Sequence, residues 1–343
     1  MGKLWAEAVL WGYARRMGVP LAFTTSIASA AKQFYPRALP TDGALMKIAL
    51  PLLSLAVLAA CQTASLPAPQ PETVAMAPDQ TSTAEASPSP GEQWLLGSAE
   101  ARIIMVQTWN EIAGYVEAQA AARPENSVIL APGATAEAPE YLACGDRPLA
   151  AVFDADETLI WNTGSTGAFR REGMAFDPAI WSDWERTGAG KAVAIPGALD
   201  GLARIRAAGV EVIVNTNREA VNAEGNTETL RAAGLGDFVH GSTLFLKGDT
   251  PGGSAKDGRR YAISENYCVI ALVGDQLGDI ADIFNDKSLR PAGRLELSQA
   301  PGFDAKWGKG WFLLPNPLYG PSIDGTMDEI FPPETYWTPT QKE

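Results

Sequence analysis

Histidine is nearly absent from this chain: His240 is the only one among 343 residues. That argues against a phosphohistidine relay, a Ser-His-Asp triad and a His-rich zinc site, each of which needs imidazole at the reacting centre; His240, beside Gly241, reads as a polar turn residue. Long apolar runs are missing too. The longest N-terminal one, residues 48–60, has thirteen apolar or small residues, short of the ~20 needed to span a bilayer. Positive charge is scarce: 27 Lys and Arg face 40 Asp and Glu, net −13. Residues 1–60 hold six basic and two acidic side chains, so the remainder carries 21 against 38, or −17. Such a body repels a phosphate backbone, and no polynucleotide binding is expected. Cysteine is limited to Cys61, Cys144 and Cys268, and no internal repeat is visible.

What is present begins with a processing signal. Met46-Lys47, the apolar run 48–60 and Leu58-Ala59-Ala60-Cys61 follow one another as n-region, h-region and cleavage site. The tetrapeptide resembles the lipobox of bacterial lipoproteins, which implies lipidation of Cys61 and a bilayer as partner through the acyl chains. Gln62 after the Cys, rather than Asp, is similar to lipoproteins sorted to an outer membrane facing the periplasm or cell surface. A signal should open a chain, so residues 1–45 are expected to be a non-native upstream extension and 46–60 the signal peptide. Residues 61–92 form a Pro/Ala/Ser/Thr-rich tether with too little apolar surface to fold. A folded domain over 93–325 and a tail over 326–343 complete the expected organisation.

Within 94–123 Ile103, Ile104, Val106, Trp109, Ile112 and Val116 recur at helical spacing, predicting one long helix with Ser98 as a plausible N-cap. Strands are expected at 149–153, 210–215, 242–246, 268–273 and 311–314. Helices are expected at 177–187, 196–208, 227–233, 256–266 and 277–285, with a polar, Gly-rich excursion after the first of these strands. Strands alternating with helices imply an α/β fold with a mainly parallel sheet covered on both faces.

The run Leu149-Ala-Ala-Val-Phe153 ends in Asp154-Ala-Asp156-Glu157-Thr158, and Val269-Ile-Ala-Leu-Val273 ends in Gly274-Asp275-Gln-Leu-Gly278-Asp279. Buried acid at a strand end is costly unless paired. Two strands delivering carboxylates at their C-terminal ends can build one acidic cluster where open α/β sheets place ligands. Oxygen-only ligands suit a hard cation such as Mg²⁺. One acidic pair alone could be a helix cap; two such pairs plus a strand-end lysine, Lys247, argue against capping alone.

Asp-x-Asp-x-Thr resembles the nucleophile motif of the haloacid dehalogenase superfamily. Val214-Asn-Thr216-Asn217-Arg218, Leu244-Phe-Leu246-Lys247-Gly-Asp249 and the Asp275/Asp279 segment follow in the superfamily's order. Ser98-Ala-Glu-Ala, the stretch from Phe176 to Trp184, Ile195-Pro-Gly-Ala198 and Leu314-Pro315-Asn316-Pro317-Leu-Tyr319-Gly320 narrow the likeness to the class C acid phosphatases, lipoproteins that hydrolyse phosphomonoesters, often 5′-nucleotides. The resemblance covers residues 94–320. It implies a Rossmannoid parallel sheet with a small helical cap made by the N-terminal helix and the insertion after the first strand. It implies Asp154 as nucleophile, Asp156 as general acid and base, and Thr216 and Lys247 as holders of the phosphoryl oxygens. Mg²⁺ would be bound by Asp154, the backbone carbonyl of Asp156, Asp275 and Asp279. Asn217, Arg218, Trp181, Trp184 and Tyr319 are the substrate-binding candidates, with a structural ion pair as the alternative for Arg218 and core packing for the two tryptophans. Trp161-Asn162-Thr163-Gly164-Ser165 departs from relatives that carry Asp before the Asn and Ser-Pro-Tyr after it. Alternatives to a nucleotidase are a broad-specificity or sugar-phosphate phosphatase of the same fold, and a catalytically dead binding lipoprotein.

With Cys61 lipidated, Cys144 and Cys268 are the remaining thiols in an oxidising compartment. Cys144 lies ten residues before Asp154 and Cys268 seven before Asp275. If both aspartates share a metal, their strands are parallel neighbours and the two cysteines meet at the opposite sheet end. A disulfide is therefore expected, two separate buried thiols being the alternative.

Overall fold

A computed structural model describes residues 87–340. The lipidation site Cys61, the signal segment and nearly all of the tether lie outside the described residues. Helix α1, Pro90–Gly97, starts inside the stretch expected to be tether, because Ser89 and Glu92 form a reciprocal capping box around Pro90. Helix α2 is Ala99–Ala122. The single helix expected over 94–123 is thus broken at Ser98. Its hydroxyl donates to Trp94 O (2.6 Å), closing α1, and accepts from Ala101 N (3.0 Å), opening α2. One side chain serves both ends, so the chain turns there.

A two-stranded antiparallel ladder follows, β1 Asn126–Leu130 with β2 Tyr141–Ala143; it is absent from the strands expected on sequence. The central sheet holds β3 Leu149–Phe153, β6 Glu211–Glu219, β7 Leu244–Lys247, β8 Cys268–Gly274 and β9 Trp311–Leu313. Its order is β7-β6-β3-β8-β9, and every neighbouring pair is parallel. Helices α5 Ala198–Ala207, α6 Ala223–Ala232 and α7 Asp257–Asn266 fall between the strands. Strand residues alternate between two apolar layers. Ala151, Phe153, Val212 and Val214 pack with Trp109, Ile112, Val116 and Leu202. Ala150, Val152, Ile213 and Leu272 pack with Val128, Ile263, Phe284 and Trp311. Burial on both faces is what a parallel sheet requires.

The insertion after β3 is pinched at its base by β4 Ile160–Trp161 against β5 Val193–Ala194. It carries α3 Thr163–Arg171, expected as an irregular Gly-rich excursion, and α4 Pro178–Thr187, capped by Asp177. The expected helix over 277–285 is instead two 3-10 turns, Leu277–Asp279 and Asp282–Asn285. Beyond lie α8 Pro291–Ser298, α9 Pro301–Asp304 and, in the segment expected as tail, α10 Met327–Ile330.

β3 and β8 are adjacent, with Leu149 opposite Cys268 at one end and Phe153 opposite Val273 at the other. Cys144 and Cys268 are joined by a disulfide with Cα atoms 4.7 Å apart. It ties the two strands at the sheet end opposite their carboxylates.

Candidate active site

Asp154 is the first residue past β3, and its N–H donates to Val273 O at 2.9 Å, holding the turn against β8. Asp275 follows the last residue of β8. Asp279 folds back over the same turn: its Oδ2 accepts from Asp275 N (3.2 Å) and Gln276 N (2.9 Å). Asp154, Asp275 and Asp279 each bring a carboxylate oxygen within 4.8 Å of the others.

The cation among them is Lys256, which sits immediately before α7. Its Nζ donates to Asp154 Oδ1, to Asp279 Oδ1 at 2.7 Å and to Asn215 O at 2.8 Å. Lys247, the lysine expected here, is elsewhere: it pairs with Glu219 at 2.7 Å and is partly solvated. Lys247 is the last residue of β7 and is held beside Glu219, its partner in the ladder, whereas Lys256, nine residues on beyond a glycine-rich loop, reaches Asp154 and Asp279. A lysine at a helix N-terminus opposes the helix dipole, but Arg259 and Arg260 in the same first turn do so too, and no sequence signal singles out Lys256.

Burial pushes the Asp154 carboxyl well above its usual range; Lys256 opposes the rise, and Asp279, Asp275 and Asp156 add to it. Burial and then Asp279 push Asp275 up to about 8, although Asn316 (2.7 Å) and Gln276 (2.9 Å) donate to it. With all three carboxyls ionised, one ammonium would leave two negative charges in excess, a repulsion that adds to burial in raising Asp154 and Asp275. The donors are all oxygen, so the cluster fits a hard divalent cation.

Asp156 stands apart from that trio. Arg218, buried, embraces it through Nε (3.0 Å to Oδ1, 3.2 Å to Oδ2) and Nη2 (2.8 Å to Oδ1), and Asn162 Nδ2 donates at 2.8 Å. Arg218 also donates to Asn226 and Asn162. Arg218 thus takes the ion-pair arrangement, buried against Asp156 and Asn162. In the Thr216-Asn217-Arg218 run, strand alternation buries Thr216 and Arg218 and exposes Asn217. Thr216 and Asn217 both line the cleft; Asn217 Oδ1 accepts from Arg259 at 2.6 Å.

Glu157 adopts φ 53°, the left-handed region rarely used by a residue with a side chain. This turns its carboxylate inward, where it accepts from Asn162 N (3.2 Å) and the Tyr319 hydroxyl (2.5 Å). Burial, with Asp156 nearby, raises it to about 7. The sequence pattern alone gives Glu157 no role; its burial depends on the unusual φ, which no local signal announces.

These groups floor a cleft of about 890 Å³, within the size range of small-molecule sites. Phe169, Met174, Phe176 and Trp181 from the insertion, with Leu318 and Tyr319 from the loop after β9, form its apolar side. Ser89 and Glu92 of the N-terminal helix region complete the rim, and Glu92 pairs with Arg170 at 2.9 Å. The cap thus comes from the two segments expected to build it. Trp181 faces the cleft; Trp184 does not, and its indole N–H donates to Asn162 Oδ1 at 2.9 Å. Trp184 thus supports Asn162 from outside the cleft lining.

Comparison with known proteins places this geometry. The family model described as HAD superfamily, subfamily IIIB (acid phosphatase), matches residues 76–322. The solved class C acid phosphatase from Bacillus anthracis is 21% identical, with 68% of this chain and 84% of that chain covered and a TM-score of 0.51. The same enzyme with tungstate bound aligns with equal identity and coverage and a TM-score of 0.52.

Proposed function

The chain belongs to the HAD superfamily, subfamily IIIB acid phosphatases, and from that premise we propose that it is a Mg²⁺-dependent phosphomonoesterase of the cell envelope that prefers nucleoside 5′-monophosphates. Hydrolysis of small phosphomonoesters is the family's activity; the metal, the leaving group and the location are what we add to it. The observation that carries it is the meeting of Asp154, Asp275, Asp279 and Lys256 beneath one cleft.

Asp154 is the nucleophile. Its carboxylate forms a bond to phosphorus as the ester P–O bond breaks, leaving an aspartyl-phosphate. Asp156 gives its proton to the departing alkoxide, then takes one from the water that attacks phosphorus and frees Asp154. Arg218 and Asn162 load three hydrogen bonds onto Asp156 Oδ1, leaving Oδ2 the less engaged oxygen for this transfer. Lys256 screens the approach of one anion to another and, with Thr216, holds phosphoryl oxygens. Asp154, Asp275 and Asp279, with the Asp156 carbonyl, would hold the divalent cation, which supplies charge neutralisation at the phosphoryl group.

The nucleotide preference rests on the apolar, partly aromatic side of the cleft, which suits a flat leaving group. Envelope anchoring rests on the Leu58-Ala59-Ala60-Cys61 sequence. A chromogenic phosphomonoester assayed with and without EDTA tests the metal: chelation is expected to abolish turnover and Mg²⁺ to restore it, and undiminished rates after exhaustive chelation would exclude the metal reading. A panel of nucleotides and sugar phosphates tests the leaving group; equal kcat/KM across it would leave a broad-specificity phosphatase. Loss of the membrane fraction and of labelled palmitate on Cys61→Ser tests the anchor.

A further inference from the structure

Lys256 has no obvious means of support in its own segment. The eight residues before it, Gly248-Asp-Thr-Pro-Gly-Gly-Ser-Ala, include three glycines, at 248, 252 and 253, with φ of 108°, 115° and 64°. Such a loop does not by itself dictate where its last residue stands. Helix α7 starts without a capping side chain of its own, so its first N–H groups need partners from elsewhere.

Asp282 supplies them from another part of the chain. Its Oδ1 accepts from Lys256 N at 2.8 Å and its Oδ2 from Asp257 N at 2.7 Å. Asp282 N donates back to Asp257 Oδ2 at 3.3 Å, so the two segments cap each other. Arg260, fully buried, locks the joint. It donates to Asp257 at 2.9 Å and pairs with Asp282 at 3.3 Å. It also donates to the Gly278 and Asp279 carbonyls at 3.1 and 2.9 Å. Asp282 lies three residues after Asp279 in the same loop, and it does not line the cleft.

We infer that Asp282 is the positioning residue for Lys256: it caps α7 across the chain and so makes the loop carrying Asp275 and Asp279 the template on which Lys256 is set. Lysine and carboxylates are then placed as one unit although twenty or more residues separate Asp279 from Lys256 in sequence. The inference deepens the phosphatase reading and rests on it only for the kinetic arm of its test.

The variant is Asp282→Asn, which keeps one acceptor and the side-chain volume, so the fold is retained. Two measurements are made on the full chain. Acetylation of lysines by an amine-reactive ester, quantified by peptide mass spectrometry, reads placement without turnover. Lys256 is 3% exposed and Lys247 37% exposed. Lys256 labelling is expected to rise by roughly fivefold or more, with Lys247 unchanged as the internal control. In the kinetic arm, kcat for p-nitrophenyl phosphate is expected to fall by about tenfold or more with KM moved less than about threefold, since a misplacement on the order of 1 Å is costly at a reacting centre. In a Lys256→Met background the same change is expected to alter kcat less than about twofold, because coupled residues are not additive. Unchanged Lys256 labelling overturns the proposal, as does an Asp282→Asn effect on kcat of equal size in both backgrounds. A wild-type chain that hydrolysed no phosphomonoester would defeat the phosphatase reading, and the labelling would still decide where Asp282 places Lys256.

Discussion

Asp154 and Lys256 touch at the centre of the cluster, yet their removal has different consequences. Asp154→Asn keeps shape and loses the nucleophile; turnover is expected to vanish while the circular dichroism spectrum stays that of the wild type, and near-normal activity would disprove the covalent route. Lys256→Met leaves excess negative charge beside the incoming phosphoryl group, so kcat/KM is expected to fall by ~10²-fold or more, the scale of losing one transition-state electrostatic partner. Lys247→Met, which breaks only the partly solvated pair with Glu219, is expected to stay within about twofold. Steady-state kinetics of the two lysine variants side by side checks this. Glu157 adds a pH signature. Burial raises its folded pKa from 4.5 to about 7, so its protonated form favours the folded state. That contribution is full below about pH 4.5 and is lost as pH rises through about 7. Asp275, raised to about 8, acts in the same sense over a window reaching higher. Metal-free protein is therefore expected to lose stability between pH 5 and 8. Glu157→Gln should remove up to ~3 kcal/mol of that loss, because a tenfold change in proton affinity is worth about 1.4 kcal/mol. Denaturant midpoints of the chelated protein across this range measure it.

Among the elements, the insertion helices line the apolar side of the cleft, and the choice of substrate is expected to rest on them. Strand β3 and the loop after β8 supply the reacting groups, but α4, started by Asp177 accepting from Ala179 N at 2.7 Å, holds Trp181 on the apolar side of the cleft. Phe176 packs near it with ring centroids 6.3 Å apart. Tyr319 stands opposite in sequence terms, on the loop after β9, and its hydroxyl is held by Glu157 although 44% of the residue is exposed. Trp181→Ala is expected to lower kcat/KM for a nucleoside monophosphate by about fivefold or more, stacking on a base being worth ~1–3 kcal/mol, and to leave a sugar phosphate nearly unaffected. Equal factors for both substrates would show that Trp181 only shapes the cap.

For the whole molecule, the Cys144–Cys268 bridge closes a loop of 124 residues, worth up to ~4–5 kcal/mol against the unfolded chain. At ~2–4 °C per kcal/mol for a domain of this size, reduction is expected to lower Tm by on the order of 10 °C. Activity per folded molecule should hold, because the bridge lies at the sheet end away from Asp154 and Asp275. Thermal melts with and without reductant, repeated on a Cys144→Ser/Cys268→Ser double variant, give the comparison.

Much of this architecture is legible in the chain itself. Apolar runs of five to seven residues between helix-period segments mark β3 and β8 as buried parallel strands, and their period is a local property that neighbouring residues carry. The acids at their ends had to converge once the strands were parallel, and the same register brings Cys144 to Cys268. Tertiary structure alone decided the rest. Which lysine reaches Asp154 depends on how a glycine-rich loop closes and on Asp282, a partner 26 residues beyond Lys256. Whether Arg218 meets substrate or Asp156 depends on the sheet face that β6 turns inward and on what lies beneath it. Spacing along a strand or helix is written by adjacent residues; where a loop returns, and which distant group completes a helix end, is settled only when the chain closes on itself.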